Sequence, residues 1–163
     1  MLMLQGVTIS PLYSQGSKPK SYAEREAYAV YAAILQDEWP NSDRFFISDQ
    51  TFPFHMCLKP DAQAQAILGS AFDNYAEANR QLWTLKPQFH MGTPYELVSA
   101  EDPINKRRTN PLPITFSAVG FNKKKTLAVI GVKFGIDGEI LVLTKKNKKW
   151  QPTKGFGGCA WAP

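Results

Sequence analysis

The pattern of apolar and polar positions changes its period once along the chain, near residue 114. Upstream of that point the apolar residues recur at helical spacing. Ser21 and Glu24 form a capping-box pair, and the helix they open runs to about Glu38 before Pro40 stops it. Its middle, Tyr28 to Leu35, is an unbroken run of eight apolar residues. A helix apolar on every side is expected to be wrapped by other elements, and the run is far below the ~20 residues that span a bilayer. Arg44 to Leu58 reads as extended, with Pro53 making it an edge strand or splitting it. A second helix is predicted from an Asp61 N-cap, marked by Ala64, Leu68, Ala71, Phe72, Tyr75 and Leu82, with Gly69 as a point of division. Thr84 to Pro113 reads as loop, with one short strand at Tyr95–Ser99.

Downstream of Ile114 the period is two. Four strands are predicted, at Ile114–Phe121, Thr126–Phe134, Glu139–Lys145 and Trp150–Lys154. The connections Asn122–Lys125, Gly135–Gly138 and Lys146–Lys149 are of hairpin length. This order predicts an α+β fold, with N-terminal helices packed on one face of an antiparallel sheet that ends in a four-strand meander. Residues 1–20 read as an irregular lead-in and 21–163 as a single α+β domain.

Composition fits that reading. The 163 residues are 44% hydrophobic and 12% aromatic, enough for a core without a structural metal or disulfide. Disordered, collagenous, coiled-coil and membrane-spanning classes are excluded. The charge is more informative. The net +5 divides into −3 over residues 1–100 (7 basic, 10 acidic) and +8 over residues 101–163 (12 basic, 4 acidic). Such asymmetry points to an anionic partner, or to solubilising charge on turns.

The run Phe116-Ser117-Ala118-Val119-Gly120-Phe121-Asn122 continues through Thr126-Leu127-Ala128-Val129 to Leu141-Val142-Leu143 and Lys145-Lys146-Asn147-Lys148-Lys149-Trp150. It resembles a family of small, often exported, uncharacterised bacterial α+β proteins that share an F-S-x-V-G-F-N signature before a C-terminal β-meander. Tyr28-Ala29-Val30-Tyr31 and Phe72-Asp73-Asn74-Tyr75 with Asn79 are similar to that family too. The chain departs from it at Gly131 to Gly138, where many members carry a cysteine- and glycine-rich hairpin and this chain has no cysteine. The resemblance implies the fold and a periplasmic or secreted location, and brings no catalytic residues. The first six residues show neither a basic n-region nor an h-region, so no secretory leader is read from them.

The lysines carry the main chemical signal. The first and third turns of a meander lie at the same end of the sheet. Lys123, Lys124 and Lys125 are therefore expected beside Lys145, Lys146, Lys148 and Lys149, seven cations with no acid among them. Such an end would hold an anionic ligand or surface with steep salt dependence; the plain alternative is solvated hairpin tips that protect the sheet edge. Nucleic acid is the less favoured ligand, because only Trp150 adjoins the cluster as a stacking side chain. Lys106-Arg107-Arg108 would extend the patch if its loop reached it.

The remaining candidates are weaker. His55 and Cys57 are two apart in an extended segment and would share a face, giving a candidate thiolate nucleophile. Cys57 and Cys159 would form one disulfide if the compartment is oxidising. With His90 the only other histidine, no zinc spacing exists, and no metal or cofactor is expected. Gly155 to Cys159 is glycine-rich but has no room for the helix that a phosphate loop needs, so it reads as a bulged strand end. Asp37 and Glu38 oppose the dipole at the first helix's end, with Arg44 as their expected partner. Asp73, Glu77 and Arg80 read as a solvated helix face. The balance favours a non-enzymatic binding domain for an anionic ligand or another protein. The alternative is a small cysteine-dependent hydrolase using Cys57 and His55.

Overall fold

The computed structural model describes residues 18–53, 66–99, 112–135 and 137–153, and the backbone of 158–160. The chain is α+β. Strand β1 (Lys20–Ser21) leads into helix α1 (Arg25–Glu38), followed by β2 (Phe45–Ser48), helix α2 (Ser70–Ala78), β3 (Trp83–Thr84) and β4 (Tyr95–Val98). The remainder is β5 (Thr115–Phe116), β6 (Gly120–Phe121), β7 (Leu127–Phe134), β8 (Asp137–Lys146), β9 (Lys149–Thr153) and β10 (Gly158–Ala160).

The meander is antiparallel. β7 pairs with β8 along its whole length, β5 and β6 share the free side of β7, and β9 and β10 share the free side of β8. The predicted first strand is therefore split at residues 117–119, and the glycine-rich end leads into an additional strand opposite residues 137–139. β8 also begins two residues earlier than expected, leaving only Gly135 and residue 136 between it and β7.

The two helices lie on opposite faces of this sheet, and not on one face. Ala128, Ile130 and Val132 of β7 and Leu141 and Leu143 of β8 pack with Ala27, Tyr31, Ile34 and Leu35 of α1. The alternate residues Val129, Ile140 and Val142 pack with Leu68, Ala71 and Tyr75. Period-two alternation sends successive side chains to opposite faces, and burial on both faces explains why β7 runs almost without a polar residue.

Three other expectations are corrected. Ser21 does not cap α1; Ser21 pairs with Thr84 in β1–β3, and Glu24 is the cap, its carboxylate accepting from the Glu26 N–H at 3.2 Å. β2 is not an edge strand: it pairs in parallel with β4 and exchanges backbone hydrogen bonds with Ile114 on its other side. The second helix does divide at Gly69 (φ +44°), where residues 66–68 end and α2 begins, but Leu82 lies beyond its end and is exposed. The Asp61 cap and Ala64 fall outside the described residues.

Between the short ladders of β5 and β6 with β7, residues 117–119 are held mainly by side chains. Phe116 stacks on Tyr31 at 4.6 Å between ring centroids, and the Tyr31 hydroxyl donates to the Ser117 carbonyl at 2.9 Å. The Ser117 hydroxyl accepts from the Gly131 N–H. Asn79 both accepts from Ala118 N–H and donates to its carbonyl, Tyr22 accepts from Val119 N–H, and Asn74 accepts from Phe121 N–H. Asn122 then closes the β6–β7 turn by accepting from the N–H groups of Thr126 and Leu127. Burial pushes the hydroxyls of Tyr22 and Tyr31 well above their ordinary range and that of Tyr75 up to about 12. They are neutral packing groups.

Candidate functional site

The β6–β7 and β8–β9 turns sit side by side, tied by the backbone bond from Lys145 N–H to Thr126 O. Each turn contains lysine in a left-handed conformation, Lys125 at φ 49° and Lys148 at φ 64°. The β8–β9 turn is a two-residue hairpin loop, Asn147-Lys148, with positive φ at both positions. That geometry is the one in which Asn-Gly is preferred.

The structure brings two acids into this end, contrary to the expectation of lysines alone. α1 starts here, with Glu24 as its N-cap and Glu26 in its first turn. Lys125 Nζ contacts both carboxylate oxygens of Glu24, at 3.0 and 2.9 Å. Lys145 Nζ pairs with Glu26 Oε1, and the same oxygen accepts from Trp150 Nε1 at 2.7 Å. Trp150 is only 7% exposed, set against Phe121 with Lys145 over its ring. It is part of the core and offers no stacking face. Lys123, Lys124, Lys146, Lys148 and Lys149 are exposed and carry no ion pair among the described residues, while Lys125 is exposed but paired.

Partial burial alone would raise the Glu26 carboxyl. The hydrogen bonds from Lys145 and Trp150, with the charges of Lys145 and Lys125, bring it below its ordinary value of 4.5. A carboxyl lowered by folding contributes stability above its unfolded pKa and loses it as pH falls through the folded one. Replacing Glu26 by Gln is accordingly expected to cost about 2 kcal/mol at pH 7, the scale of a charge-assisted bond. In urea titrations the gap from wild type should begin to narrow below pH 4.5 and keep narrowing as the pH falls through the lowered folded pKa; a gap that does not change with pH would show that the loss is one of packing.

Among the described residues, a groove of about 1120 Å³ opens beside the basic end. One wall is the outer face of α1, with Arg25 nearest the lysines, Ala29, Ala32 and Ala33 in the middle, and Gln36 and Asp37 at the far end. The other walls are the turn and strand at Lys148 to Pro152 and the segment holding Gln88 and His90. His90 Nδ1 lies 2.8 Å from the Gln88 carbonyl oxygen. Arg25, Gln36, Gln88, His90 and Gln151 belong to no motif, and their convergence with Lys148, Lys149 and Asp37 from three distant segments leaves no signal in the sequence.

Other candidates fare differently. His55, Cys57 and Lys106 to Arg108 lie outside the described residues. Cys159 is opposite Gly138 in β10, while its expected partner Cys57 lies outside the described residues. Among the described residues, Asp37 and Glu38 have no ion pair with Arg44, and Glu38 faces Glu139 instead. Burial first, then the Glu38 charge, raises the Glu139 carboxyl. Glu77 and Arg80 pair at 2.9 Å on an exposed face. No group of three His, Cys, Asp or Glu among the described residues could hold a metal, and no described helix is long and apolar enough to cross a membrane.

Neither a scan against protein-family models nor searches of curated proteins and of solved structures find a match for this chain.

Proposed function

We propose that this protein is a non-enzymatic binding domain for an anionic ligand, engaged at the end of the sheet where the β6–β7 and β8–β9 turns meet. The observation that carries this reading is the persistence of five exposed lysines after two acids from α1 have claimed Lys125 and Lys145. A tip that needed only solubility is served by any polar side chain. Here Lys148 also occupies a left-handed position, where a side chain costs about 1 kcal/mol relative to glycine. Lys148 therefore weakens the turn it stands in.

The test separates charge from fold. Charge reversal of Lys124, Lys146 and Lys148 to Glu is expected to abolish retention on heparin at 100 mM salt, leaving the far-ultraviolet spectrum unchanged. Lys148→Gly is expected to stabilise the domain by roughly 0.5–1 kcal/mol while shortening heparin retention. Retention that survives the triple reversal would end the proposal. A Lys148→Gly variant that gains stability and binds as wild type would remove Lys148 from the site.

A further inference from the structure

We infer that the groove between α1 and β9 holds an acidic oligosaccharide, with its carboxylates or sulfates at the Arg25–Lys148–Lys149 end and its hydroxyl-bearing units along Gln36, Gln88 and Gln151. This rests on the proposed anionic-ligand reading and extends it from the lysine tips to a defined path. The path starts where the cationic surface ends. Arg25, Lys148 and Lys149 belong to the groove lining, and from Arg25 to Asp37 the α1 wall is about 18 Å long at 1.5 Å per residue. A volume near 1120 Å³ slightly exceeds the roughly 300–1,000 Å³ of small-molecule sites. It suits a short oligomer.

The distribution of groups selects among polyanions. Positive charge is confined to one end of the groove. Beyond it the polar lining is carboxamide and imidazole, and the far end carries Asp37. A chain charged at every unit, such as polyphosphate or nucleic acid, would place anionic groups against that aspartate. Sugar hydroxyls, which donate and accept, match both carboxamides and a carboxylate. The aromatic groups that would stack bases are occupied. Trp150 is buried against Phe121, and the Tyr28 hydroxyl donates to Tyr22 O and accepts from Lys86 N–H, which leaves single-stranded nucleic acid without a platform. A peptide adding as a strand to β9 would meet Pro152, which has no N–H, and Lys149, both devices that discourage edge pairing. Recognition in this groove therefore falls to side chains.

The experiment measures binding of a glucose hexamer ending in one glucuronate unit, a glucose hexamer sulfated on one terminal unit, a neutral glucose hexamer and a thymidylate heptamer to the full chain at 50 mM salt. Ala29 is exposed in the groove wall, so Ala29→Trp fills the path without touching the lysine tips. The acidic hexasaccharides are expected to bind at least tenfold more tightly than the other two, with the preferred one distinguishing carboxylate from sulfate. Ala29→Trp should weaken them at least tenfold yet leave retention of long-chain heparin on the tips unchanged. Gln36→Leu and Gln151→Leu together, which keep the charge, should weaken them about fivefold. Equal binding to Ala29→Trp, or a thymidylate heptamer bound as tightly as the acidic sugars, overturns the groove inference while long-chain heparin retention still supports the lysine tips. Heparin retention that survives the triple lysine reversal overturns the underlying reading instead.

Discussion

Gly120→Ala is expected to lower stability by at least about 3 kcal/mol, which in a domain of this size corresponds to a fall in Tm of roughly 10 °C. A Cβ at Gly120 would stand 2.4 Å from Ala71 O, Tyr75 Cβ and Tyr75 N. These atoms are helix backbone and a side-chain root, none able to swing away as the tip of a long side chain does. To admit one methyl group, α2 must retreat from β6. That retreat opens the packing of Leu68, Ala71 and Tyr75 on Val129, Ile140 and Val142 and stretches the bond from Phe121 N–H to Asn74. The cost is thus a loss of packing along the whole helix and exceeds a single overlap. Gly92→Ala, with nothing within 4 Å of its added methyl, is the control and should stay within ~0.5 kcal/mol of wild type. Equal urea midpoints for the two variants would show that α2 is not seated on Gly120.

The same close approach shows what the amino-acid pattern could and could not reveal. The meander was legible because alternation and hairpin-length turns are local properties, and the helical run from Tyr28 to Leu35 was legible for the same reason. Placement of the helices on two faces has one local mark, the run from Leu127 to Val132, because a strand apolar on both faces has to be covered twice. The parallel pairing of β2 with β4 joins segments about fifty residues apart and leaves no local mark. Ser21 and Glu24 satisfy a capping pattern, but pairing of Ser21 with Thr84 outweighs it.

At the basic end the turns were correctly placed beside one another by topology alone. Glu24 and Glu26 leave no mark of their role in the sequence, because they meet Lys125 and Lys145 across separations of 101 and 119 residues. Acids in the first turn of a helix are favoured by its dipole in any case, so their presence there carried no hint of a second role. That second role ties the start of α1 to the tips of the sheet. It also leaves Lys146, Lys148 and Lys149 as the cations on the β8–β9 hairpin that stay unclaimed among the described residues.

Asn79→Ala is expected to cost about 3 kcal/mol, a large loss for a residue that lies outside both the basic end and the groove. Asn79 is 5% exposed and Ala118 is fully buried. Its carboxamide accepts from Ala118 N–H at 2.9 Å and donates to Ala118 O at 3.0 Å and to Tyr75 O at 2.9 Å. Residues 117–119 lie in the gap between β5 and β6, so strand pairing does not supply Ala118 with partners there. Alanine at 79 would strand the buried Ala118 N–H, worth about 1–3 kcal/mol when left unsatisfied, and would remove one donor from the Ala118 carbonyl, which keeps the Ser117 hydroxyl at 2.9 Å. Asn79→Asp keeps the acceptor but loses the donor, and sets a carboxylate against the carbonyls of Ala118 and Tyr75. Its deficit should therefore exceed that of Asn79→Ala at pH 7 and shrink as the pH falls and the acid is protonated. Urea titration of both variants at pH 7 and pH 5 reads the difference. If Asn79→Asp instead matched wild type at pH 7, the acceptor alone would be sufficient. The gap in the first strand would then rest on the bond from Ala118 N–H to residue 79, with the donated bonds of Asn79 adding nothing.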